Sequence, residues 1–458
     1  MEGMMGGKTA ETRPATSHGS PRVISVVFVT LLIDLLGFTL ILPLLPSILE
    51  HFSKSDDSLY QTIQHSVDWF ASAIGVPQER KYNSVLFGGF IGTIFSLLQF
   101  ICSPLTGAAS DYLGRRQAMM ITAVGLIFSY ILWAISRSFG IFILSRVVGG
   151  LSKGNVSLCT AIIADLPSLK NRSTGMAMIG VAFSLGFTIG PIIGAYFAMN
   201  AASEEIFYVR PALLALFFAV VDLIFIFLFL PETLPKENRV PSVTAGFKGA
   251  SDLLSPVALF NFSAITRRKD SPSTENVQKL RLLGMVYFLY LFLFSGLEYT
   301  LSFLTHQRFQ FNSMQQGKMF FFIGVTMALI QGGYARRISP GNEIKAVKRA
   351  IILLIPAFLL IGWASSLLVL GAGLLLYSFA AAIVVPCLSS LVSTYGSASQ
   401  KGTVMGILRS LGALARALGP ILSASLYWLA GPQICFSVSA FLLLLPLLCL
   451  GRLKQKEE

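Results

Sequence analysis

The chain has 458 residues, of which 54% are hydrophobic and only 12% are charged, and its mean hydropathy is +0.71. Soluble domains carry about a quarter of charged residues, so this composition excludes an ordinary soluble protein. The formal net charge of +13 would suit a nucleic-acid-binding protein if the basic residues formed one patch, but they alternate between loops. We therefore expect a membrane protein that binds no nucleic acid.

The first segment, residues 1–21, is rich in Gly, Ser, Thr and Pro and has no apolar stretch. This composition predicts a disordered cytosolic tail and not a cleaved signal peptide. After it, apolar runs near the roughly 20 residues that cross a bilayer recur to the end of the chain. The predicted spans are 22–49, 83–106, 117–136, 138–164, 172–199, 209–230, 282–305, 316–336, 346–364, 367–392, 402–428 and 433–450.

The predicted spans form two groups of six, in 22–230 and 282–450, separated by the polar linker 231–281 and followed by the cytosolic tail 451–458. Lys and Arg residues concentrate before the first span, in every second loop and after the last span. The positive-inside rule therefore places both termini in the cytosol. The expected fold class is an all-α membrane protein of twelve transmembrane helices in two six-helix bundles.

Three segments outside the regular pattern carry local predictions. Pro43 and Pro46 should kink the outer end of the first span, because proline removes a helical hydrogen bond. The outer loop 50–82 is either a lid or a surface loop with a short helix. Within the linker, 243–262 is either an interfacial amphipathic helix or a solvated loop.

A short turn after the second span carries glycines, an acid and two arginines in fixed spacing: Gly107, Asp111, Gly114, Arg115 and Arg116. Glycines allow a tight turn and a close approach of helices. The acid can bind helix N-termini or basic groups across the inner face. We interpret this segment as a conformational latch, and it resembles the loop signature of the major facilitator superfamily.

The fourth and fifth spans carry two further patterns. Arg146 lies inside the fourth span and is followed by glycines, as in the helix 4 pattern of that superfamily. The fifth span contains Gly186, Gly190, Pro191 and Gly194, which resemble the Gly-x-x-x-Gly-Pro-x-x-Gly signature of its antiporter branch. Small residues four apart allow helices to touch, and the proline bends its helix.

Taken together, the chain resembles the drug:proton antiporter branch of the major facilitator superfamily, and more closely the animal tetracycline-transporter-like proteins, which are regarded as organic-anion efflux antiporters. The resemblance implies two pseudo-symmetric bundles with a substrate site between them. It also implies alternating access, small amphipathic organic ions such as organic anions or drugs as substrates, and the proton as coupling ion.

Ionisable groups inside spans cost roughly 2.5 to 3.5 kcal/mol each on insertion scales, so they usually face a cavity or a partner. The groups that we place at the cavity are Asp34, Arg146, Lys153, Glu298, Arg409 and Arg416. Counting about 1.5 Å per residue from the inner ends puts one acid and one base at similar depth in each half. Asp222, in the sixth span, is assigned a structural role because that span lies at the periphery of the resembled fold.

The arrangement of these charges predicts the chemistry. Asp34 or Glu298 would exchange a proton, while Arg146, Lys153, Arg409 and Arg416 would hold an anionic substrate group. Static ion pairs are the alternative for each acid. Spacings of seven residues place Arg146 with Lys153, and Arg409 with Arg416, on shared helix faces.

Other function classes receive less support. No catalytic, phosphate-binding or metal-ligand constellation occurs, so we expect no enzyme, metal or cofactor. Two rival functions remain, an uncoupled facilitator of neutral or zwitterionic solutes and a non-transporting receptor or scaffold on the same fold. We expect a monomer in the lipid bilayer of the cell membrane or of intracellular membranes, with a small molecule as its substrate.

Overall fold

The computed structural model describes residues 19–55, 57–77, 79–199, 208–240, 250–266, 272–311 and 313–453. Within these ranges the regular structure is helical and no β-strand occurs. Eleven of the described helices are long and apolar enough to cross a membrane. The predicted all-α membrane fold is confirmed. Residues 1–18 of the predicted tail lie outside the described residues, and the first helix already begins at Gly19.

The helices of the first half run from Gly19 to Phe229. They are α1 (Gly19–Thr39), α2 (Leu45–Ser53), α3 (Ser58–Ile74), α4 (Arg80–Leu113), α5 (Arg115–Ala134), α6 (Phe139–Ser152), α7 (Asn155–Ala164), α8 (Leu169–Met199) and α9 (Val209–Phe229). We call the face at which α1 begins the inner face and the opposite face the outer face.

The described residues of the linker and the second half are helical as well. Their helices are α10 (Ala250–Leu254), α11 (Pro256–Phe260), α12 (Ser263–Thr266), α13 (Thr274–Phe309), α14 (Ser313–Gly333), α15 (Glu343–Trp363), α16 (Leu367–Tyr395), α17 (Lys401–Ala430), α18 (Pro432–Leu442) and α19 (Leu444–Gly451). Helix α15 takes the place of the ninth predicted span and packs against α16 and α18.

The first span is interrupted near its outer end, as its prolines predict. Helix α1 ends at Thr39, and a 3-10 turn, Leu42–Leu44, precedes α2. Pro43 lies within that turn and has no backbone N–H to continue the helical ladder. The interruption lies at the outer end of the helix that carries Asp34.

The fourth span is also interrupted, where the sequence predicted one continuous helix. Helix α6 ends at Ser152, α7 begins at Asn155, and Lys153 between them has ψ of 54°. A break in the backbone at membrane depth is tolerated where protein surrounds it, and both Lys153 and Gly154 are buried. The prediction that Arg146 and Lys153 share one helix face is therefore wrong, because the helix ends before Lys153.

The outer loop contains a packed helix. Asp57 caps α3 by accepting hydrogen bonds from the backbone N–H groups of Leu59 and Tyr60. Its second carboxylate oxygen accepts from the N–H of Phe139, at the start of α6, over 3.1 Å. One side chain thus ties α3 to the outer end of the first half.

Residues 250–266 of the linker, which include the described part of the predicted amphipathic segment, form three short helices and not one. Leu253, Leu259 and Phe262 are buried, and these helices contact α4, α13 and α17 at the inner face. The remaining part of the predicted amphipathic segment, 243–249, lies outside the described residues. The linker therefore joins the packed inner surface of both halves.

The two halves meet along two lines of helix contact. Helix α4 packs along α17 on one side, and α8 packs along α14 and α16 on the other. Of the charged groups that the sequence placed at the cavity, Asp34 lies on α1, Arg146 on α6, Lys153 between α6 and α7, Glu298 on α13, and Arg409 and Arg416 on α17. The buried hydrophobic residues form one core cluster that runs through both halves.

Candidate functional site

The first half contains a buried ion pair. The Lys153 Nζ donates to Asp34 Oδ2 over 2.6 Å, and both side chains are 3% exposed. The same ammonium lies 4.5 Å from the centre of the Phe38 ring. The break between α6 and α7 places Lys153 against α1, where a continuous helix would have directed it elsewhere. Removing two charges from water is costly, and this pair offsets the cost by direct contact and by the ring.

Arg146 lies in a different environment from Lys153. Its guanidinium lies over the rings of Trp133 and Phe142, at 5.1 Å and 5.7 Å, and its Nε donates to Ser145 Oγ over 3.2 Å. Among the described residues its buried Nη2 has no hydrogen-bond partner. The aromatic rings therefore hold Arg146 in place, and the structure does not bring it to an acid.

In the second half, the two arginines of α17 reach across to the first half. The Arg409 guanidinium lies 5.2 Å from the centre of the Phe183 ring on α8. Arg416 donates from Nη2 to Gln99 Oε1 on α4 over 3.4 Å. Helix α17 is continuous, so these two residues do share one face. Both side chains are half-buried between the bundles.

Glu298 is the acid of the second half and is solvent-exposed although it lies deep in α13. It interacts electrostatically with Arg416, but these two described residues do not form a direct ion pair. Beside it, Phe294 and Tyr377 stack with their centroids 4.6 Å apart and their planes within 8°. The Glu298 carboxylate thus lies one helical turn from Phe294 and within electrostatic range of Arg416, whereas the Tyr377 ring is buried.

The inner face is closed by Asp111. Its carboxylate accepts hydrogen bonds from the backbone N–H groups of Gly402 and Thr403, at 2.9 Å and 2.8 Å, and from the Thr403 hydroxyl at 2.7 Å. It also pairs with Arg115 at 2.7 Å. A side chain at Gly107 would collide with the Gly402 carbonyl. The acid therefore caps the first turn of α17 across the boundary between the halves.

Arg115 connects this contact to the end of α7. Its Nε pairs with Asp165 Oδ2 at 2.9 Å, and that carboxylate also accepts from the Thr233 hydroxyl at 3.0 Å. The Arg115 side chain is fully buried. Two carboxylates around one guanidinium form a buried network that orders the inner end of the first half.

Arg116 and Gly114 serve the first half alone. Arg116 donates from its guanidinium to the Phe227 carbonyl and lies over the ring of that residue. Glu232 accepts from the backbone N–H groups of Arg115 and Arg116, which caps α5. Gly114 has φ of +101° at the turn between α4 and α5, a conformation that favours glycine.

The four residues of the antiporter-like pattern bring α8 against α1. The Gly186 carbonyl accepts from the Thr39 hydroxyl over 2.9 Å, and a side chain at Gly190 would collide with that hydroxyl. Gly194 approaches the backbone just beyond α1. Pro191 lies inside α8, between these two contacts. The pattern thus seats the fifth span on the outer end of the first span, where α1 is interrupted.

Several residues of these networks escaped the sequence analysis. Gln99 and Thr403 are uncharged and gave no signal. Asp165 and Glu232 lie at inner helix ends, where an acid near predicted arginines could have marked them as ion-pair candidates. Their partners lie far along the chain, so only the packing identifies them.

Two helical bundles that meet around buried charges, with polar contacts across their inner ends, are the arrangement of a membrane transporter. Within the described residues no group of His, Cys, Asp and Glu has the arrangement of a metal site. The profile of the Major Facilitator Superfamily matches residues 27–420. The chain belongs to this family, as the sequence motifs predicted, and it is a transporter and not an enzyme.

Similar proteins agree with this assignment. Major facilitator superfamily domain-containing protein 10 of Mus musculus is 63% identical over 97% of this chain and 95% of its own length. The crystal structure of the human organic anion transporter MFSD10 (TETRAN) is 63% identical, with a TM-score of 0.91 over 96% of this chain and 100% of that chain. The class D tetracycline resistance protein of Salmonella ordonez is 26% identical over 89% of both chains.

Proposed function

We propose that the protein is a secondary active transporter that exchanges amphipathic organic anions for protons. The observation that carries the substrate class is the surplus of cations between the halves. Arg409 and Arg416 face the first half from α17, and neither of these described residues forms a direct ion pair with a carboxylate. The description of the human relative as an organic anion transporter supports the same substrate class.

The substrate site that we propose combines charge with an aromatic surface. Arg409 and Arg416 bind the anionic group, and Phe294, which stacks on the buried ring of Tyr377, contacts the apolar part of the molecule. Arg146 and Lys153 complete the positive field from the first half. An ion with one charge and a flat apolar body satisfies both parts of this site.

Protons bind to Glu298 and Asp34 in this proposal. Glu298 is exposed at the surface of α13 and lies within electrostatic range of Arg416, so in this proposal a bound organic anion covers the site at which the proton exchanges. Exchange requires that the two ligands occupy the transporter in turn, and such an overlap provides it. The antiporter-like residues of α8 support exchange as the mode of coupling.

In this proposal Gly107, Asp111 and Arg115 form the inner latch against α17, and Gly114 and Arg116 order the neighbouring turn within the first half. Opening of the inner face separates Asp111 from Thr403. We place both termini in the cytosol, on the side of the basic loops. The proposed transporter works as a monomer in the cell membrane or in intracellular membranes, without metal, cofactor or nucleic acid.

A second candidate is cotransport of the anion with a proton. The contact between Lys153 and Asp34 favours it, because a proton on Asp34 would release Lys153 to bind an anion. The two modes differ in the gradient that drives uptake. Antiport accumulates the anion inside a liposome when the proton concentration is higher inside. Cotransport accumulates the anion inside when the proton concentration is higher outside.

Proteoliposomes with a labelled amphipathic organic anion test the proposal. Antiport predicts uptake that is driven by a higher proton concentration inside the liposomes. The rate of this uptake should fall at least about tenfold in Glu298→Gln and Asp34→Asn. Glu237→Gln is the matched control, because Glu237 is an exposed acid at the inner surface. Gradient-independent uptake would instead indicate a facilitator, and binding without uptake would indicate a receptor.

A further inference from the structure

A small cavity lies behind the ion pair of the first half. It is enclosed by α1, α5 and α9, and its polar lining consists of Asp34, Tyr130 and Asp222. Its volume is about 10 Å³, which is near the smallest space that holds one water molecule. The rest of the lining is apolar, so these three side chains face one another with little else that is polar.

Asp222 and Tyr130 bring unpaired polar atoms to this cavity. Asp222 is 2% exposed and Tyr130 is 3% exposed. Among the described residues, Asp222 Oδ1 and the Tyr130 hydroxyl have no hydrogen-bond partner. Leaving such groups unsatisfied costs about 1 to 3 kcal/mol each, and more when the group is charged. A proton shared across the cavity would remove this cost.

The charges around Asp222 do not balance. Asp34 on α1 and Lys153 at the break after α6 both interact with it electrostatically. From α5 and α7, Tyr130 and Cys159 face it as the other titratable groups. The single ammonium is already in contact with Asp34 at 2.6 Å. Among the groups that interact with Asp222 itself, two carboxylates and one ammonium leave one negative charge in excess, and the next cation, Arg146, interacts with Tyr130 and not with Asp222.

We propose that Asp222 is a second proton-binding residue, which shares one proton with Asp34 through the cavity enclosed by α1, α5 and α9. With Lys153 paired to Asp34, the proton resides on Asp222 and its hydroxyl points into the cavity. When Lys153 moves away from Asp34, the proton passes through the cavity to Asp34 and leaves it before the anion binds, so that Asp222 becomes charged and proton and anion occupy the transporter in turn. The number of protons is conserved in this transfer.

This assignment replaces the structural role that the sequence analysis gave to Asp222. Helix α9 is peripheral, but it packs against α1 and α5, which brings Asp222 to the back of Asp34. The proposal deepens the proposed function, because it rests on proton coupling through Asp34. It adds a second proton-binding site, which α1 separates from the substrate cavity.

The direct test is infrared spectroscopy of the purified full-length protein at neutral pH. A protonated carboxylic acid has a carbonyl band that a carboxylate lacks. We expect this band to be lost in Asp222→Asn and kept in Glu237→Gln. Tyr130→Phe should keep the band at a shifted frequency, because it changes only the lining of the cavity. A band unchanged in Asp222→Asn would overturn the proposal.

Transport provides the second readout in the same proteoliposomes. Asp222→Asn should retain exchange of labelled for unlabelled substrate. The flux driven by a pH gradient should be about tenfold lower than in wild type. Equal gradient-driven flux in wild type and Asp222→Asn would contradict the proposed role. If wild type shows no gradient-driven flux but Asp222→Asn still abolishes the infrared band, the proposed function fails and the proton-binding role of Asp222 stands.

Discussion

The two halves of the transporter treat similar charges in opposite ways. In the first half, Asp34 and Lys153 are in direct contact and almost fully enclosed. In the second half, Glu298 is exposed and Arg416 reaches to Gln99 of the other half. The first half thus pairs Asp34 with Lys153 internally, and the second half presents Arg416 at the boundary between the halves. In the proposed transporter, the first half therefore holds a buried ion pair and the second half contacts the substrate.

The two faces differ as well. Between the inner ends, Asp111 makes charge-assisted hydrogen bonds to the start of α17. Between the outer ends, contact depends on aromatic rings, with Tyr82 of α4 lying 5.1 Å from Trp428 and 6.0 Å from Phe303. Directional bonds to a buried carboxylate break at a high cost, whereas ring contacts can slide. The inner face should therefore control the conformational change.

The largest expected effect is that of Lys153→Met. It leaves the buried Asp34 carboxylate without its cation, and breaking one member of such a pair costs about 3 to 5 kcal/mol. Thermal unfolding in detergent measures the loss. The matched variant in the second half, Arg416→Met, should cost about 1 kcal/mol, because Arg416 is half-buried and forms no direct ion pair in the described structure.

A double variant sharpens this comparison. Adding Asp34→Asn to Lys153→Met removes the unpaired charge, so the double variant should be more stable than Lys153→Met alone. Equal stability of the two would show that the ion pair is not the reason for the loss. The outcome would then remove the proposed contrast between the two halves.

Asp111→Asn should have the next largest effect, on the balance between the two faces. The amide cannot pair with Arg115 or accept all the hydrogen bonds of α17, so the inner-closed state should lose about 2 kcal/mol. Modification of Ser103→Cys in a cysteine-free background, by a maleimide supplied at the inner side, measures inner opening. Ser103 is buried on α4 beside Gly406 of α17.

Arg116→Ala is the control for that experiment. The side-chain contacts of Arg116 stay within the first half, so maleimide labelling should match that of the parent protein. Greater labelling in Arg116→Ala than in Asp111→Asn would contradict the assignment of the latch to the contact between Asp111 and α17.

Gly190→Ala tests the seat of α8 on α1. The added methyl group would collide with the Thr39 hydroxyl, and such overpacking costs about 1 to 3 kcal/mol. Gly92→Ala on α4 is the control, since nothing lies within 4 Å of the methyl position there. Its stability should be unchanged or slightly higher. Similar unfolding temperatures for the two variants would argue against a close contact at Gly190.

The smallest effect is expected for Tyr299→Phe at the outer face. The variant loses one hydrogen bond, from the Tyr299 hydroxyl to the Val85 carbonyl at 3.0 Å. A neutral bond of this kind contributes about 0.5 to 1.5 kcal/mol. Maleimide labelling of an outer cysteine should rise by less than labelling at Ser103→Cys rises in Asp111→Asn. A larger rise would reverse the order of the two faces.

The sequence by itself determined the membrane fold, the number of spans and the family. Apolar length and the placement of charges report directly on the bilayer, so they need no knowledge of packing. Counting residues along each helix also paired Asp34 with Lys153 by depth. Depth is a one-dimensional quantity, and the helical rise is constant enough to provide it.

Only the tertiary structure decided which groups touch. The break before Lys153 turned that residue toward α1, and the position of α9 brought Asp222 behind Asp34. Asp165 forms an ion pair with Arg115, whereas Glu298 and Arg416 do not form a direct ion pair in the described structure. The helix that lies next to a given side chain depends on packing between segments that are distant in the chain. The local pattern of residues does not encode this packing.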